Sequence, residues 1–417
     1  MSMEDFSEND SHSSCTPIDE SAYMKDIPAD PILLEQHINT LLSKRLDPHE
    51  PSINGFDEEY YFIEMKTSHL ITDGNLYQHA LSPVNRPENR YSNVLPPDST
   101  RVKLKEIPNV EGSDYINANW ISGLIPGSER GYVATQGPLN NQLQNTLPSF
   151  WRMVWEIGAS VIVMLTKEIE NGKSKCDRYW PEDDCPLTVG HLKITLVNSK
   201  QGTDLIERTL EILNLNDDAT RTVYQFQYIA WPDHGLPTGT HAFLDLAHKV
   251  DTVNPNDDPI VVHCSAGIGR SGTFCAVHMI VEKLRLELKL HPETKPTFNL
   301  VKTVIKMREQ RPGMVQTKDQ YMFCYLTILE ETQRLFGKKR KNLVDSGSSA
   351  DSDTNIQTYK MLHHPDNNNN NSSSEDSSDE DDEDEHRPAP VLTNSSSQGV
   401  PNGNNLRNSS NKVGTNV

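Results

Sequence analysis

The sequence predicts an α/β (α+β) domain, a twisted mixed β-sheet flanked by helices. Three observations predict it. The runs SVIVMLT (Ser160–Thr166) and PIVVHC (Pro259–Cys264) are short, apolar and rich in β-branched residues, as buried strands are. TVYQFQYIAW (Thr222–Trp231) alternates two residue sets with the period of a strand and carries aromatics that suit a sheet. Segments of helical period lie on either side of these runs, so strands and helices share one core.

In chain order, residues 1–30 are polar and read as a disordered lead. PILLEQHINTLLSKRL follows. Ile32, Leu34, Ile38, Leu41 and Leu42 recur with helical spacing, and Pro31 suits a first helical turn. The strand runs come next. A helix begins around Ser271, and further helices are expected over TFNLVKTVIKMREQ and TKDQYMFCYLTILEETQRLF. Thr317 has the right chemistry for an N-cap of the last one, with Gln320 at the capping-box position. The folded domain therefore spans 31–336. Residues 337–417 turn basic, then acidic and rich in Ser and Asn, and hold too little apolar surface to offset the entropy of ordering.

The 417 residues carry a formal net charge of −20, which disfavours nucleic acid as a partner. Much of that acid sits near the C-terminus, so an anion site in the middle remains open. No apolar run is long enough to span a bilayer, and MSMEDFSEND is acidic where a signal peptide is basic, so no membrane anchor is expected. Dispersed cysteines then fit a reduced, intracellular setting.

The segment VVHCSAGIGRSGT (Val261–Thr273) carries the chemistry. Between a strand ending near His263 and the following helix, the loop Ser265, Ala266, Gly267, Ile268, Gly269 can curl its N–H groups inward into an anion-binding nest. Glycines permit the unusual backbone, and Arg270 adds a planar fork for phosphate oxygens. Cys264 lies at the start of the cradle, where dipoles and positive charge favour a nucleophilic thiolate. The lysine of a nucleotide P-loop is missing.

HCSAGIGRSG resembles the signature loop of the protein tyrosine phosphatases. NRYSNVLP, DYINANWI, YVATQGPL, KCDRYWP, WPDHG and QRPGMVQTKDQY follow in that family's order, over about Asn54–Phe336. The set is similar to the large, tyrosine-specific, non-receptor branch. The resemblance implies hydrolysis of phosphotyrosine in proteins through a phosphocysteine, without metal or other cofactor. It makes Cys264 the nucleophile, Arg270 and the loop amides the oxyanion holders, and Asp233 the acid that protonates the leaving phenolate, with Trp231 and Gly235 bracketing its loop. His263 tunes the thiolate by hydrogen bonding. Ser271 supports departure of the sulfur, with helix capping as the alternative. Gln316 places the hydrolytic water and Gln320 supports it, with capping again the alternative. Tyr91 forms the wall of a deep slot that selects phosphotyrosine by reach. Asn93, where many relatives carry Asp, engages the substrate backbone, and Gly313 keeps the mouth open. Glu170 orients Arg270, and Lys175 contacts the acid loop or substrate.

Substrates on this reading are phosphotyrosine-containing proteins, tyrosine-phosphorylated kinases among them by analogy. GKKRK (Gly337–Lys341) has the composition of a nuclear import signal, so cytoplasm and nucleus are both expected, and SSSEDSSDEDDEDE (Ser372–Glu385) suits acid-directed serine kinases. A phosphotyrosine-binding scaffold without turnover and a dual-specificity phosphatase are the alternatives.

Overall fold

The computed structural model describes residues 20–46, 53–126, 128, 130–182, 185–232 and 235–343. Most of the lead expected to be disordered, and the tail from 344 onward, lie outside the described residues.

An eight-stranded mixed sheet runs in the order Ala118–Ile121, Tyr132–Thr135, Ile260–His263, Val161–Met164, Thr220–Tyr228, Leu205–Asn214, Leu192–Gln201, Leu187–Val189. The strands Tyr132–Thr135, Ile260–His263, Val161–Met164 and Thr220–Tyr228 are mutually parallel, and the outer pairings are antiparallel. Parallel strands need both faces covered, which is why SVIVMLT and PIVVHC are continuously apolar. Ala134, Val161, Val163, Ile260 and Val262 face one core with Phe243, Phe274 and Tyr325. Val133, Ile162, Met164 and Val261 face the other with Phe150 and Trp151 of the helix Leu147–Glu156. The first core lies under the helices Pro31–Ser43, Gly55–Thr72, His241–Val253, Gly269–Leu290, Leu300–Gln310 and Lys318–Leu343.

Two boundaries differ from the expected 31–336. Order begins earlier: Ile27–Pro28 pairs antiparallel with Thr297–Phe298, Asn299 Nδ2 donates to the carbonyls of Tyr23 and Lys25, and Tyr23 stacks on Phe62 at 4.4 Å. The last helix runs to Leu343, beyond Phe336. Low apolar content argues against burial, but Lys and Arg are good helix formers and suit a helix C-terminus, so the basic stretch continues the helix. Pro31 opens the first long helix as expected, capped by Asp30, and buries Leu34, Ile38 and Leu41 while Ile32 stays exposed. Among the described residues, no helix is long and apolar enough to cross a membrane.

The helix Gly55–Thr72 is pinned to the final helix by a buried carboxylate. Glu59 accepts hydrogen bonds from Tyr321 Oη at 2.7 Å and Tyr325 Oη at 3.1 Å. Burial raises its pKa, and the two phenol bonds only partly offset this. A carboxyl whose folded pKa is raised contributes stability below its unfolded value of about 4.3 and loses it as pH rises through the folded value. Glu59→Gln removes that loss, and its amide oxygen can still accept from both phenols. Thermal unfolding followed from pH 4.5 to 8 is therefore expected to show the variant gaining stability over the parent as pH rises, with little difference at the acid end.

Candidate active site

The parallel strands end together at Thr135, His263, Met164 and Tyr228, and the chain following each of them enters one crevice. Ligand sites of α/β sheets form at this edge, because loops leaving neighbouring parallel strands converge there. Cys264 follows His263 directly and is nearly buried, at 7% exposed. The Gly267 N–H donates to its Sγ at 3.3 Å. The helix Gly269–Leu290 starts at once, with its unpaired N–H groups behind the loop.

Loop amides can point inward only if the carbonyls are satisfied outward. Arg311 supplies this. Its Nε donates to Gly267 O at 3.0 Å and its Nη2 to Ala266 O at 2.9 Å, while Nη1 and Nη2 also hold Asn119 Oδ1 and Asn117 Oδ1. The guanidinium is buried without a carboxylate partner among the described residues, and burial lowers it to about 10, so it stays charged at neutral pH. Gly267 has φ +75°, and a Cβ there would stand 2.1 Å from Thr135 O, so backbone freedom and close approach both demand glycine. The Gly137 N–H closes the loop from the next strand by donating to Ser265 O at 2.8 Å.

Arg270 is held by Glu170, Nη1 to Oε1 at 2.7 Å and Nη2 to Oε2 at 2.9 Å. Burial would raise the Glu170 pKa, but the Arg270 bonds, the Thr166 hydroxyl and the Lys167 N–H together lower it, so it is ionised. Glu170 stands on a two-strand hairpin whose turn, Asn171 at φ 49° and Gly172 at φ 75°, has the left-handed pair that tight hairpins need. Arg270 Nη2 also reaches Pro232 O at 3.3 Å, and its guanidinium lies 5.5 Å from the Trp231 ring centre. Trp231 Nε1 donates to Gly235 O at 3.1 Å. The segment's ends are thus tied at Pro232 and Gly235, while Asp233 lies outside the described residues. Lys175 is half-buried, and its backbone N–H donates to Glu168 O at 2.9 Å.

His263 is wholly buried and bonds the carbonyl of Cys264, Nδ1 to O at 3.2 Å, rather than its sulfur. A carbonyl only accepts, so Nδ1 carries the proton and Nε2 accepts from Tyr179 Oη at 2.8 Å. Gln225 Nε2 in turn donates to Tyr179 Oη at 2.7 Å, and Arg208 Nη1 donates to Gln225 Oε1 at 2.8 Å. Every member of this chain has one possible direction. Burial pushes His263 down to about 4, so the ring is neutral.

Tyr91 is half-buried, with its hydroxyl 2.7 Å from Ser265 Oγ, which fixes the ring beside the cradle. Its loop is braced by Arg90 N–H to Gln136 Oε1 at 2.9 Å, and by Asn117 Nδ2 to Asn89 Oδ1 at 2.9 Å. Asn93 is exposed. Ser271 lies inside the helix instead of capping it, and its buried Oγ has no hydrogen-bond partner among the described residues. Gln316 and Gln320 meet over Gly269, where a Cβ would stand 3.0 Å from Gln316 Oε1 and 3.0 Å from Gln320 Nε2. Gln320 also caps: its N–H donates to Thr317 Oγ1 at 3.2 Å, and its Oε1 accepts from the Gln316 N–H at 2.9 Å. Just before Gln316, Val315 adopts φ 58°, a conformation costing a β-branched residue on the order of 1–3 kcal/mol. Gly313, at φ +79°, packs over Ile268, whose Cδ1 lies 3.1 Å from where a Cβ would be.

Among the described residues, Tyr91 meets the cradle at Ser265, Glu170 and Trp231 meet it at Arg270, Gly313 at Ile268 and the two glutamines at Gly269, while Asn93 is exposed. Sequence reasoning missed Arg311, Tyr179, Gln225 and Gly137. The signals were present, since Arg311 lies in QRPGMVQTKDQY and Tyr179 in KCDRYWP, but their partners are remote in sequence.

A family model described as protein-tyrosine phosphatase matches residues 85–330. Tyrosine-protein phosphatase 2 of Dictyostelium discoideum is 40% identical over 356 residues, covering 70% of this chain and 90% of that protein. Tyrosine-protein phosphatase non-receptor type 18 of Homo sapiens is 42% identical over 252 residues, 60% of this chain and 52% of that protein. The solved catalytic domain of the human type 18 enzyme superposes with a TM-score of 0.59 at 40% identity, covering 66% of this chain and 96% of that one.

Arg311→Lys keeps the charge and loses the fork that holds four acceptors. Charge-assisted bonds contribute about 1.5–3 kcal/mol each. The variant is therefore expected to bind orthovanadate about tenfold or more weakly, measured by isothermal titration, with vanadate raising its melting temperature less than the parent's.

Proposed function

The chain belongs to the protein-tyrosine phosphatase family, and we propose the following division of labour among its residues for the hydrolysis of phosphotyrosine in proteins. Cys264 Sγ attacks phosphorus as the thiolate, the P–O bond to the tyrosine breaks, and Asp233 gives its proton to the departing phenolate oxygen. The N–H groups of Ser265–Arg270, of which that of Gly267 already meets the Cys264 sulfur, and the guanidinium of Arg270 take the charge on the equatorial oxygens. Tyr91 lines the slot for the phenyl ring, which a shorter phosphoserine cannot fill while reaching Cys264. Asn93 engages the substrate backbone, and Gly313 leaves the mouth clear.

In the second step water attacks the phosphocysteine, Asp233 takes its proton, and the sulfur leaves. Gln316 orients the water and Gln320 supports it. The buried Oγ of Ser271 makes no hydrogen bond among the described residues, so its proton is uncommitted, and this reading has it donate to the departing sulfur as a positioning group rather than a cap. His263 acts through the backbone of Cys264, as a neutral ring that fixes the nucleophile's carbonyl. Glu170 presents Arg270, and Lys175 serves the acid loop or substrate.

The single observation that carries this reading is the cradle itself: a nearly buried thiol with a loop N–H on its sulfur, at the start of a helix, in a loop whose carbonyls are drawn outward by Arg311. The wider reading rests on sequence alone. It has the chain act in signalling in the cytoplasm or nucleus on substrates that include tyrosine-phosphorylated kinases, with Ser372–Glu385 as a serine-kinase acceptor.

The test is turnover of a phosphotyrosyl peptide. The parent chain should release phosphate, and Cys264→Ser should release none. Asp233→Ala should lose about 100-fold or more in kcat, in line with general-acid contributions, and hold phosphotyrosyl proteins that vanadate displaces. Binding without turnover in the parent would instead identify a scaffold, and equal rates on phosphothreonine peptides a dual-specificity enzyme.

A further inference from the structure

We propose that Tyr60 is a positioning residue for the second half of the reaction, holding Gln316 over the cradle by restraining the strained backbone step before it. The proposal rests on the reading of Gln316 as the group that orients the hydrolytic water.

Tyr60 belongs to the helix Gly55–Thr72, remote in sequence from every signature segment. Its hydroxyl donates to the carbonyl of Gln316 at 2.5 Å and lies 3.2 Å from the carbonyl of Val315. Arg308 completes the arrangement: Nη2 donates to Tyr60 Oη at 3.1 Å and to Val315 O at 2.9 Å, and Nε donates to Met314 O at 2.9 Å. The guanidinium also lies 5.4 Å from the Tyr60 ring centre and pairs with Glu64 Oε1 at 2.6 Å. These donors fall on the carbonyls of three successive residues, Met314, Val315 and Gln316.

That peptide segment needs such a restraint. Val315 is β-branched, wholly buried and at φ 58°. Left alone, it relaxes toward negative φ, and rotation there swings every atom that follows. Gln316 is the next residue, and its amide stands over Gly269 beside that of Gln320. The N–H side of the step is fixed from the cradle, Val315 N–H to Ile268 O at 3.1 Å. The carbonyl side is fixed only by Arg308 and Tyr60 among the described residues. Burial raises the Tyr60 pKa further above the ordinary phenol value, so its proton is present throughout the working range of the enzyme.

Because Cys264, Arg270 and the loop amides are held by Arg311, Glu170 and the sheet, loss of the Tyr60 hydroxyl leaves the first step intact. The experiment is rapid-quench kinetics of the parent and Tyr60→Phe with a phosphotyrosyl peptide, following the first release of tyrosine, the phosphocysteine trapped by acid, and steady-state phosphate release. Tyr60→Phe is expected to keep the first-turnover rate within about twofold, lower phosphocysteine hydrolysis about five- to tenfold, and raise the trapped phosphocysteine accordingly. Equal falls in both phases, tracking a lowered melting temperature, would show a merely structural residue and overturn the proposal, as would two unchanged phases. A parent chain that turns over without any phosphocysteine would overturn both this inference and the reaction scheme beneath it, whereas a parent phosphocysteine with unaltered hydrolysis in the variant would overturn this inference alone.

Discussion

A loop that turns its amides toward an anion must send its carbonyls somewhere else, and that requirement shapes the site. Arg311 meets it from within the protein. Its partners are the carbonyls of Ala266 and Gly267 and the side-chain oxygens of Asn117 and Asn119, all uncharged. A buried arginine is normally compensated by a carboxylate. Here its charge is uncancelled by any ionic partner among the described residues, and its field is directed at the loop that begins with Cys264. The desolvation that pulls Arg311 down to about 10 is offset by the bonds that shape the cradle, and the net positive charge favours whatever anion the cradle holds.

Arg270 is the contrasting case. Its charge is balanced by Glu170, so the pair is close to neutral until an anion arrives. The same guanidinium reaches Pro232 O and lies against Trp231, at the start of the segment that carries Asp233. One side chain therefore connects the glutamate hairpin, the cradle and the backbone at Pro232. Among the described residues, Arg311 makes no bond to that segment.

Part of this was legible in the residues themselves because the groups of the cradle are local, whereas Asp233 and Gln316 were assigned through the family resemblance. Cys264, the loop glycines, Arg270 and Ser271 lie within a few residues, and one strand and one helix suffice to orient them. The strands SVIVMLT and PIVVHC were legible for the same reason, since burial on both faces leaves an unbroken apolar run. The supporting groups were harder to read because their partners come from elsewhere. Gln225 and Gln227 alternate with aromatics and look like the wet face of a strand, yet both are buried, because Arg208 donates to each and Tyr179 and Thr166 take their amide protons. Tyr179 reads as a core aromatic until His263 is seen across from it. The last helix runs past Phe336 to Leu343 because helix propensity persists in a stretch whose composition offers little apolar surface.

The two halves of the proposed reaction are supported by separate parts of the fold that meet at one carbonyl. The nucleophile and its oxyanion holders depend on the ends of the parallel strands and on Arg311. The amides proposed to place water depend on a strained valine, a capping turn and a helix from the other end of the domain. Ile268 O joins them, accepting from Gly272 N–H at 2.9 Å in the cradle's own helix and from Val315 N–H at 3.1 Å in the water-placing segment. Gly272 makes that approach possible, since a Cβ there would stand 2.2 Å from Val315 N. A side chain at 272 would force the segments apart without touching Cys264. The glycine after Arg270-Ser271 is thus explained by the fit between the two halves of the site, while the conformational demands of the cradle fall on Gly267.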